Sequence, residues 1–515
     1  MIVQVDIVTH QDEYTIYNDY VLSVIAQGYT ANIKRITEVS FVKRERNRYA
    51  LGVLAWPIFI ELFLQFLLGA ADTLMVSRIS DDAVAVVGFS NQLFQALTTL
   101  FMTVASGAGI LIAQKLGSRR EEEARSVAIM AVSASAVIGL ALSFVLYAKP
   151  RAIAAVLQLP DSLLPLADTY ISIVGGGMVL TALTSTLSTV IRNTGNTKGP
   201  MIIAIGMNVI HVAMNYGFIF GAFGFPQWGL TGVALSTVIS RLLATAVLAY
   251  VFVQSFGHRI RLREMLGFDG ARFKEILHIG WPLGVNMSCW VFSQLVIFAF
   301  IAMLGPQELA ARTYMNTLES FCFLLGSSIA MALQIQVAHL FGAGRSEEAY
   351  KGAYRALLYG LPLVTVNALV LLFAGRALLG LFTADPEIVA LGVSLLGLNL
   401  LLQPGKMLNM AMGNALNAVG DTRFVMLTAI FSMWLVATGL SYLTGIHWGW
   451  GLVGIYACMI ADEYIRGFLV LLRWKGRRFL KRASVRGAAD GEGTAGVKSA
   501  TDATDVSDGG QPALP

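Results

Sequence analysis

Charge is scarce in this chain: Asp, Glu, Lys and Arg together make up 13% of 515 residues, against 56% hydrophobic ones. That balance, with a mean hydropathy of +0.66, excludes an ordinary water-soluble globular domain. Cysteine is nearly absent. Cys289, Cys322 and Cys458 each lie inside an apolar run without metal or redox spacing, so neither a disulfide scaffold nor a metal site is implied. The six histidines are scattered, and no H-E-x-x-H motif or paired nucleophile and base provides the constellation that a membrane enzyme needs. A G-x-x-x-x-G-K-[ST] phosphate loop is also missing, which disfavours ATP-driven work. No cofactor and no nucleic-acid partner is implied. Residues 1–50 carry Asp6, Asp12, Glu13, Asp19 and Glu38 and lack a continuous apolar core, so no cleavable signal peptide is read there.

Long apolar runs are what the chain does have. Mostly 20 to 30 residues long, they are sufficient to cross roughly 30 Å of hydrocarbon at about 1.5 Å per residue. Runs at 51–77, 84–114, 126–148, 164–191, 199–221, 230–256, 275–303, 308–341, 352–374, 388–418, 424–444 and 451–472 predict about twelve transmembrane helices in an all-α polytopic membrane protein. Lys and Arg gather on alternate connections: Lys43 to Arg48, Lys115 to Arg125, Arg192 and Lys198, Arg259 to Lys274, Arg345 and Lys351, and Arg473 to Arg486. The positive-inside rule then puts both termini in the cytoplasm. The tail beyond Arg486, rich in Gly, Ala, Ser, Thr and Asp, reads as disordered.

The chain also repeats itself. A shift of 225 residues superposes Trp56-Pro57 on Trp281-Pro282, Asn91 on Asn316, Gly117 on Gly342, Glu122-Glu123-Ala124 on Glu347-Glu348-Ala349, and Gly195 and Thr197 on Gly420 and Thr422. Farther on, W-G-L-T-G at 228 and W-G-L-V-G at 450 match at 222. Two homologous six-helix lobes follow, with the same membrane orientation and a cavity between them. The domain reading is a cytoplasmic extension 1–48, an N-lobe 49–257 (helices 1–6), a cytoplasmic linker 258–274, a C-lobe 275–474 (helices 7–12) and a disordered cytoplasmic tail 475–515.

W-P near the start of each lobe, D-T-L-M-V closing the first span, G-S-R-R-E-E-E-A and G-A-G-R-S-E-E-A after spans two and eight, I-R-N-T-G-N-T-K, L-N-A-V-G-D-T-R and F-I-F-G together resemble the multidrug and toxic compound extrusion (MATE) transporters. The resemblance spans roughly residues 48–475. It implies a monomeric secondary antiporter of the plasma (inner) membrane, exporting amphipathic, often cationic organic compounds in exchange for H⁺ or Na⁺. A lipid-linked oligosaccharide flippase of the same superfamily is the alternative.

Ionisable groups inside the spans are costly in hydrocarbon and normally face a cavity or a partner. Glu61, Gln65, Leu68 and Asp72 fall at i, i+4, i+7 and i+11, one helical stripe that predicts a wet face. For Glu61 the competing reading is an acid paired with a base for packing; for Asp72 it is a helix-end residue near Arg78. The resemblance favours ion coupling at Asp72, since family members use a first-span acid for it. Asn208, His211 and Asn215 share a face at i, i+3 and i+7, and an imidazole can carry a proton, although a packing histidine satisfied by its neighbours is an equal reading. The expected ion-coupling set is Asp72, Glu61, His211 and Asn215, with H⁺ the coupling ion and Na⁺ the alternative.

In span seven the repeat partners of Glu61, Gln65 and Asp72 are Asn286, Trp290 and Ile297, so acidity there is confined to the first lobe. The sodium-coupled branch of the family implies acids at Trp290 and Lys406, and neither is present. Glu319 and Lys406 both lie well inside their spans, which leaves two readings: a structural ion pair, or a lysine that replaces a bound cation. Gln65, Asn91, Asn208, Asn286, Trp290, Asn316, Glu319, Gln403 and Lys406 are the expected lining of a substrate cavity. Asp462, Glu463 and Arg466 read as an intrahelical group, and Arg241, opposite Glu463 in the repeat, as structural. The Thr and Ser run 181–189 reads as bonding to its own backbone.

Overall fold

A computed structural model describes residues 49–256 and 269–479, together with Glu264 and Gly267. The extension 1–48, most of the linker and the tail beyond residue 479 lie outside the described residues. Twelve main helices follow one another: α1 Leu51–Val76, α2 Asp81–Gly117, α3 Glu121–Ala148, α4 in two halves (Leu164–Gly176 and Met178–Asn193), α5 Lys198–Phe220, α6 Gly229–Ser255, α7 Gly270–Leu304, α8 Pro306–Gly342, α9 Ser346–Gly380, α10 Pro386–Ala418, α11 Thr422–His447 and α12 Gly451–Lys475. Among the described residues there is no strand.

Local chemistry sets the helix ends. The Ser80 hydroxyl accepts from the Ala83 amide at 3.1 Å to start α2, and Asp385 accepts from Glu387 at 2.9 Å ahead of Pro386 to start α10, in each case satisfying an otherwise orphaned N–H. Glu121, Glu122 and Glu123 open α3, and Glu347 and Glu348 open α9, where a negative charge suits the helix dipole. Asp269 caps α7 in the same way. That helix therefore starts at Gly270, five residues inside the stretch read as linker.

Eleven spans are long and apolar enough to cross a membrane when the halves of α4, bent by 42° at Gly177, count as one. α12 falls outside that group because it carries Asp462, Glu463 and Arg466 at its middle, where they pair with one another.

Helices α1–α6 and α7–α12 form two lobes, and the lobes meet where α2 packs on α7 and α8 and where α1 packs on α8. Small residues permit that approach. A Cβ on Gly117 would lie 2.2 Å from the His339 carbonyl oxygen, and one on Gly342 would lie 1.9 Å from that of Gln114. The two contacts are repeat images of each other, since both 114/339 and 117/342 are related by 225, so the seam follows the pseudo-two-fold axis. Hydrogen bonds flank it: Gln114 Nε2 donates to the Ala418 carbonyl at 2.6 Å, Gln336 Nε2 to the Tyr49 carbonyl at 2.8 Å, and His339 Nε2 lies 2.8 Å from the Asn193 carbonyl. All of these sit at the end of the bundle where Lys and Arg gather.

Candidate functional site

The polar centre of the N-lobe is assembled from α1, α5 and α6. α5 presents His211 and Asn215 one turn apart, and both reach the same oxygen of Asp72 on α1. His211 Nε2 lies 2.9 Å from Asp72 Oδ1, Asn215 Nδ2 donates to it at 2.9 Å, and the two α5 side chains are 3.0 Å apart. Behind them, α6 supplies Ser236, which donates to Asn215 Oδ1, and Ser240, whose Oγ lies 3.2 Å from His211 Nδ1. His211 and Asn215 are buried, while the Asp72 side chain retains 24% of its exposure. Nearby on α6, Arg241 Nη1 donates to Thr181 at 2.8 Å.

At 2.9 Å, His211 Nε2 and Asp72 Oδ1 share one hydrogen between them. Ser240 Oγ can accept from His211 Nδ1–H while its own hydroxyl meets the Thr237 carbonyl at 3.1 Å, or it can turn and donate to Nδ1. A neutral ring donating from Nε2, an imidazolium beside a carboxylate, and a carboxylic acid beside a neutral ring all satisfy the contact.

Other expected members sit elsewhere. Glu61 is 3% exposed and faces Arg192 Nη1 at 3.2 Å, with Arg192 Nη2 donating to Thr189 at 3.1 Å. This corrects the wet stripe: eleven residues of helix separate Glu61 from Asp72 by about 16 Å, so one face meets α4 at one end and α5 at the other. Asn208 is buried and donates to the Leu64 carbonyl at 3.1 Å. Gln403 is 2% exposed and donates to Asn399 within its own helix at 2.7 Å; its polar tip is used inside α10 and it does not line the cavity. Gln65 and Asn91 are exposed.

Asn286, Trp290, Asn316, Glu319 and Lys406 line one cavity of about 530 Å³ in the C-lobe, together with Asp462, Glu463 and Arg466. Glu319 and Lys406 do pair, at 3.6 Å, but the nearer partners of Glu319 are Tyr456, donating at 2.8 Å, and Arg312, with Nη1 at 3.3 and 3.4 Å from the two oxygens. Arg312 also donates to the Tyr456 hydroxyl at 2.7 Å. A second group closes on itself: Arg466 contacts Asp462 at 2.5 Å and Glu463 at 3.0 Å, Ser432 donates to Asp462 at 2.6 Å, and Asn409 donates to Glu463 at 2.8 Å. The cavity carries three acids and three bases.

Sequence reasoning missed the supporting side chains. Ser236 and Ser240 are spaced i, i+4 on α6, a pattern visible in the sequence, but nothing local says that they turn toward α5. The Thr run on α4 reaches across helices rather than back to its own backbone: Thr184 bonds Thr245 at 2.8 Å and Thr186 donates to Ser135 at 2.8 Å.

Comparison with known proteins accords with this architecture. The family model described as MatE matches residues 57–217 and again 282–443, one match in each lobe, with starts 282 − 57 = 225 residues apart. An uncharacterized transporter of Bacillus subtilis (strain 168), YisQ, is 35% identical over 434 residues, covering 84% of this chain and 95% of that protein. A probable multidrug resistance protein NorM of Thermotoga maritima is 28% identical over 453 residues, covering 85% and 96%. Among solved structures, a MATE protein in its bent conformation superposes with a TM-score of 0.75 at 17% identity, over 84% of this chain and 96% of that one. A MATE family multidrug resistance transporter in an outward-facing conformation gives 0.74 at 18%, over 85% and 98%.

Proposed function

The chain belongs to the MatE family of membrane transporters, and on that premise we propose that it is a secondary active antiporter exporting amphipathic, cationic organic compounds in exchange for H⁺. The observation that carries the reading is the 2.9 Å contact between Asp72 Oδ1 and His211 Nε2, which sets a carboxyl group against an imidazole inside the membrane. With a proton shared by the pair, α1 and α5 are tied by a charge-assisted bond. Without it, a neutral ring faces the carboxylate and the tie weakens. Release of the proton thus exposes an anionic carboxylate, with 24% of its side chain already open, to a cationic ligand. Competition of proton and cation for that carboxylate links the two fluxes, and the linkage is reciprocal.

Sodium is disfavoured by the C-lobe. There Lys406 brings an ammonium to Glu319 at 3.6 Å, in the position where a bound cation would otherwise offset the acid, and Arg312 already neutralises the same carboxylate. The chain sits in the plasma membrane as a multi-pass monomer with both termini in the cytoplasm, and the end of the bundle that bears the lobe seam is the cytoplasmic one.

The test is dye-cation efflux from vesicles under separately imposed pH and sodium gradients, with Asp72→Asn beside the parent. A pH gradient alone should drive the parent and fail to drive Asp72→Asn. Undiminished efflux by Asp72→Asn, or a strict sodium requirement in the parent, refutes the proton role. Movement of a lipid-linked oligosaccharide without efflux of any tested cation assigns the protein to flipping instead.

A further inference from the structure

A further cavity lies outside both polar centres. It measures about 1290 Å³ and is bounded by the start of α1, the end of α2, and α8 and α9, so its walls come from both lobes at the basic end of the bundle. Arg119, Arg345 and Arg355 stand around it. Arg345 is satisfied by Glu348, through bonds of 2.6 and 2.7 Å. Arg119 and Arg355 are exposed and form no ion pair among the described residues.

The wall is graded from charged to apolar. Arg355, Tyr359 and Leu363 follow at i, i+4 and i+8 along α9, a line that descends about 12 Å from a cation through an aromatic ring to an aliphatic side chain. Trp56 faces the same cavity from α1, with the Lys198 ammonium 5.9 Å over its ring. Tyr359, Trp56 and Leu363 are 66%, 48% and 46% exposed, a large apolar area that the protein itself leaves uncovered. Basic groups above interfacial aromatics above aliphatic chain match the order of polarity in one lipid leaflet. Basic pockets between transmembrane helices on the cytoplasmic side suit anionic headgroups.

We propose that this cleft is a binding site for an anionic glycerophospholipid, whose phosphate lies between Arg119 and Arg355 and whose acyl chain runs along Trp56, Tyr359 and Leu363. Because α1 and α2 belong to one lobe and α8 and α9 to the other, the bound lipid bridges the lobe seam and favours the arrangement closed at this end. The inference holds whatever ion or compound the protein carries.

The experiment uses full-length protein exchanged into equimolar phosphatidylglycerol and phosphatidylcholine, with retained lipid counted by native mass spectrometry. The parent should retain phosphatidylglycerol preferentially. Loss of one arginine in Arg355→Gln should cut that preference about fivefold and loss of both in Arg119→Gln/Arg355→Gln about thirtyfold, while Arg355→Lys should keep most of it. Arg376→Gln, near the opposite end of α9, should leave it unchanged, and thermal unfolding establishes that each variant is folded. Equal retention of the two lipids by the parent, or an unchanged preference in the folded double variant, overturns the proposal. Displacement of the lipid by glycerol phosphate at equal concentration overturns it as well, since that outcome reports a phosphate site with no contribution from the acyl wall.

Discussion

Adding one methyl group at Gly342 should open the lobe seam. The Cβ of Gly342→Ala would fall 1.9 Å from the Gln114 carbonyl oxygen, 2.7 Å from its carbon and 2.9 Å from Gln114 Cα. All three neighbours are backbone, so no side chain can turn aside. Restoring ordinary contact requires α2 and α8 to part by roughly 1.5 Å, an overpacking strain of about 1–3 kcal/mol. The 2.6 Å bond from Gln114 to Ala418 and the 2.8 Å contact of His339 with Asn193 sit beside the insertion, and loss of either adds about 1 kcal/mol. The strain exists only while the seam is closed. A population closed at this end should therefore fall by roughly 10- to 100-fold relative to one open there, without a comparable loss of folding stability. Spin labels at Ser118→Cys and Ala343→Cys in a Cys-free background report the separation directly by pulsed electron resonance. The parent should show a short distance and Gly342→Ala a longer one; Gly117→Ala should behave alike, because its Cβ meets the His339 carbonyl at 2.2 Å. Gly206→Ala, with nothing within 4 Å, is the control. An unchanged distance distribution in Gly342→Ala would refute the claim that this contact sets the closed state.

Three further outcomes are expected. Glu319→Gln leaves Arg312 and Lys406 facing each other without a carboxylate and should cost about 3–5 kcal/mol, whereas Arg312→Met/Glu319→Leu should recover most of it; thermal unfolding of the purified variants reads both. Arg192→Ala strands Glu61 at 3% exposure with a similar penalty, which Arg192→Ala/Glu61→Ala should reduce. His211→Gln keeps a hydrogen-bonding side chain but no ring to carry a proton, so dye efflux driven by a pH gradient should fall; undiminished efflux counts against a proton-carrying His211.

The repeat and the helix count were legible in the sequence because both depend on spacing alone. Asp72, His211 and Asn215 were legible as a group for a related reason: on α5 the two side chains are one turn apart, and that spacing fixes a shared face whatever lies opposite. What α5 faces is a different kind of information. Ser236 and Ser240 come from another helix, and their contribution depends on helix rotation, which leaves little trace in the residue pattern when a helix is apolar on every side. Glu61 shows the error in its simplest form. Its stripe with Asp72 is real, but a straight line on one long helix crosses two neighbours, and Arg192, assigned to a loop by its charge, is the residue that meets it.

The two lobes share a backbone plan and have exchanged their charges. Under the repeat offsets Asp72 corresponds to Ile297, which is 1% exposed, while Val87, Phe94, Thr181 and Ala234 correspond to Arg312, Glu319, Lys406 and Tyr456. Ser240 and Arg241 correspond to Asp462 and Glu463. Each lobe buries an acid against a guanidinium, Glu61 against Arg192 in the N-lobe and Glu319 against Arg312 in the C-lobe, but Asp72 has a partner of another kind. A guanidinium cannot give up its proton in a protein, so Arg312 beside Glu319 and Arg466 beside Asp462 are fixed positive charges. An imidazole can lose and regain one. Asp72 is an acid whose nearest base is a histidine, and the proposed proton exchange rests on this choice of partner rather than on the presence of a carboxylate in the membrane.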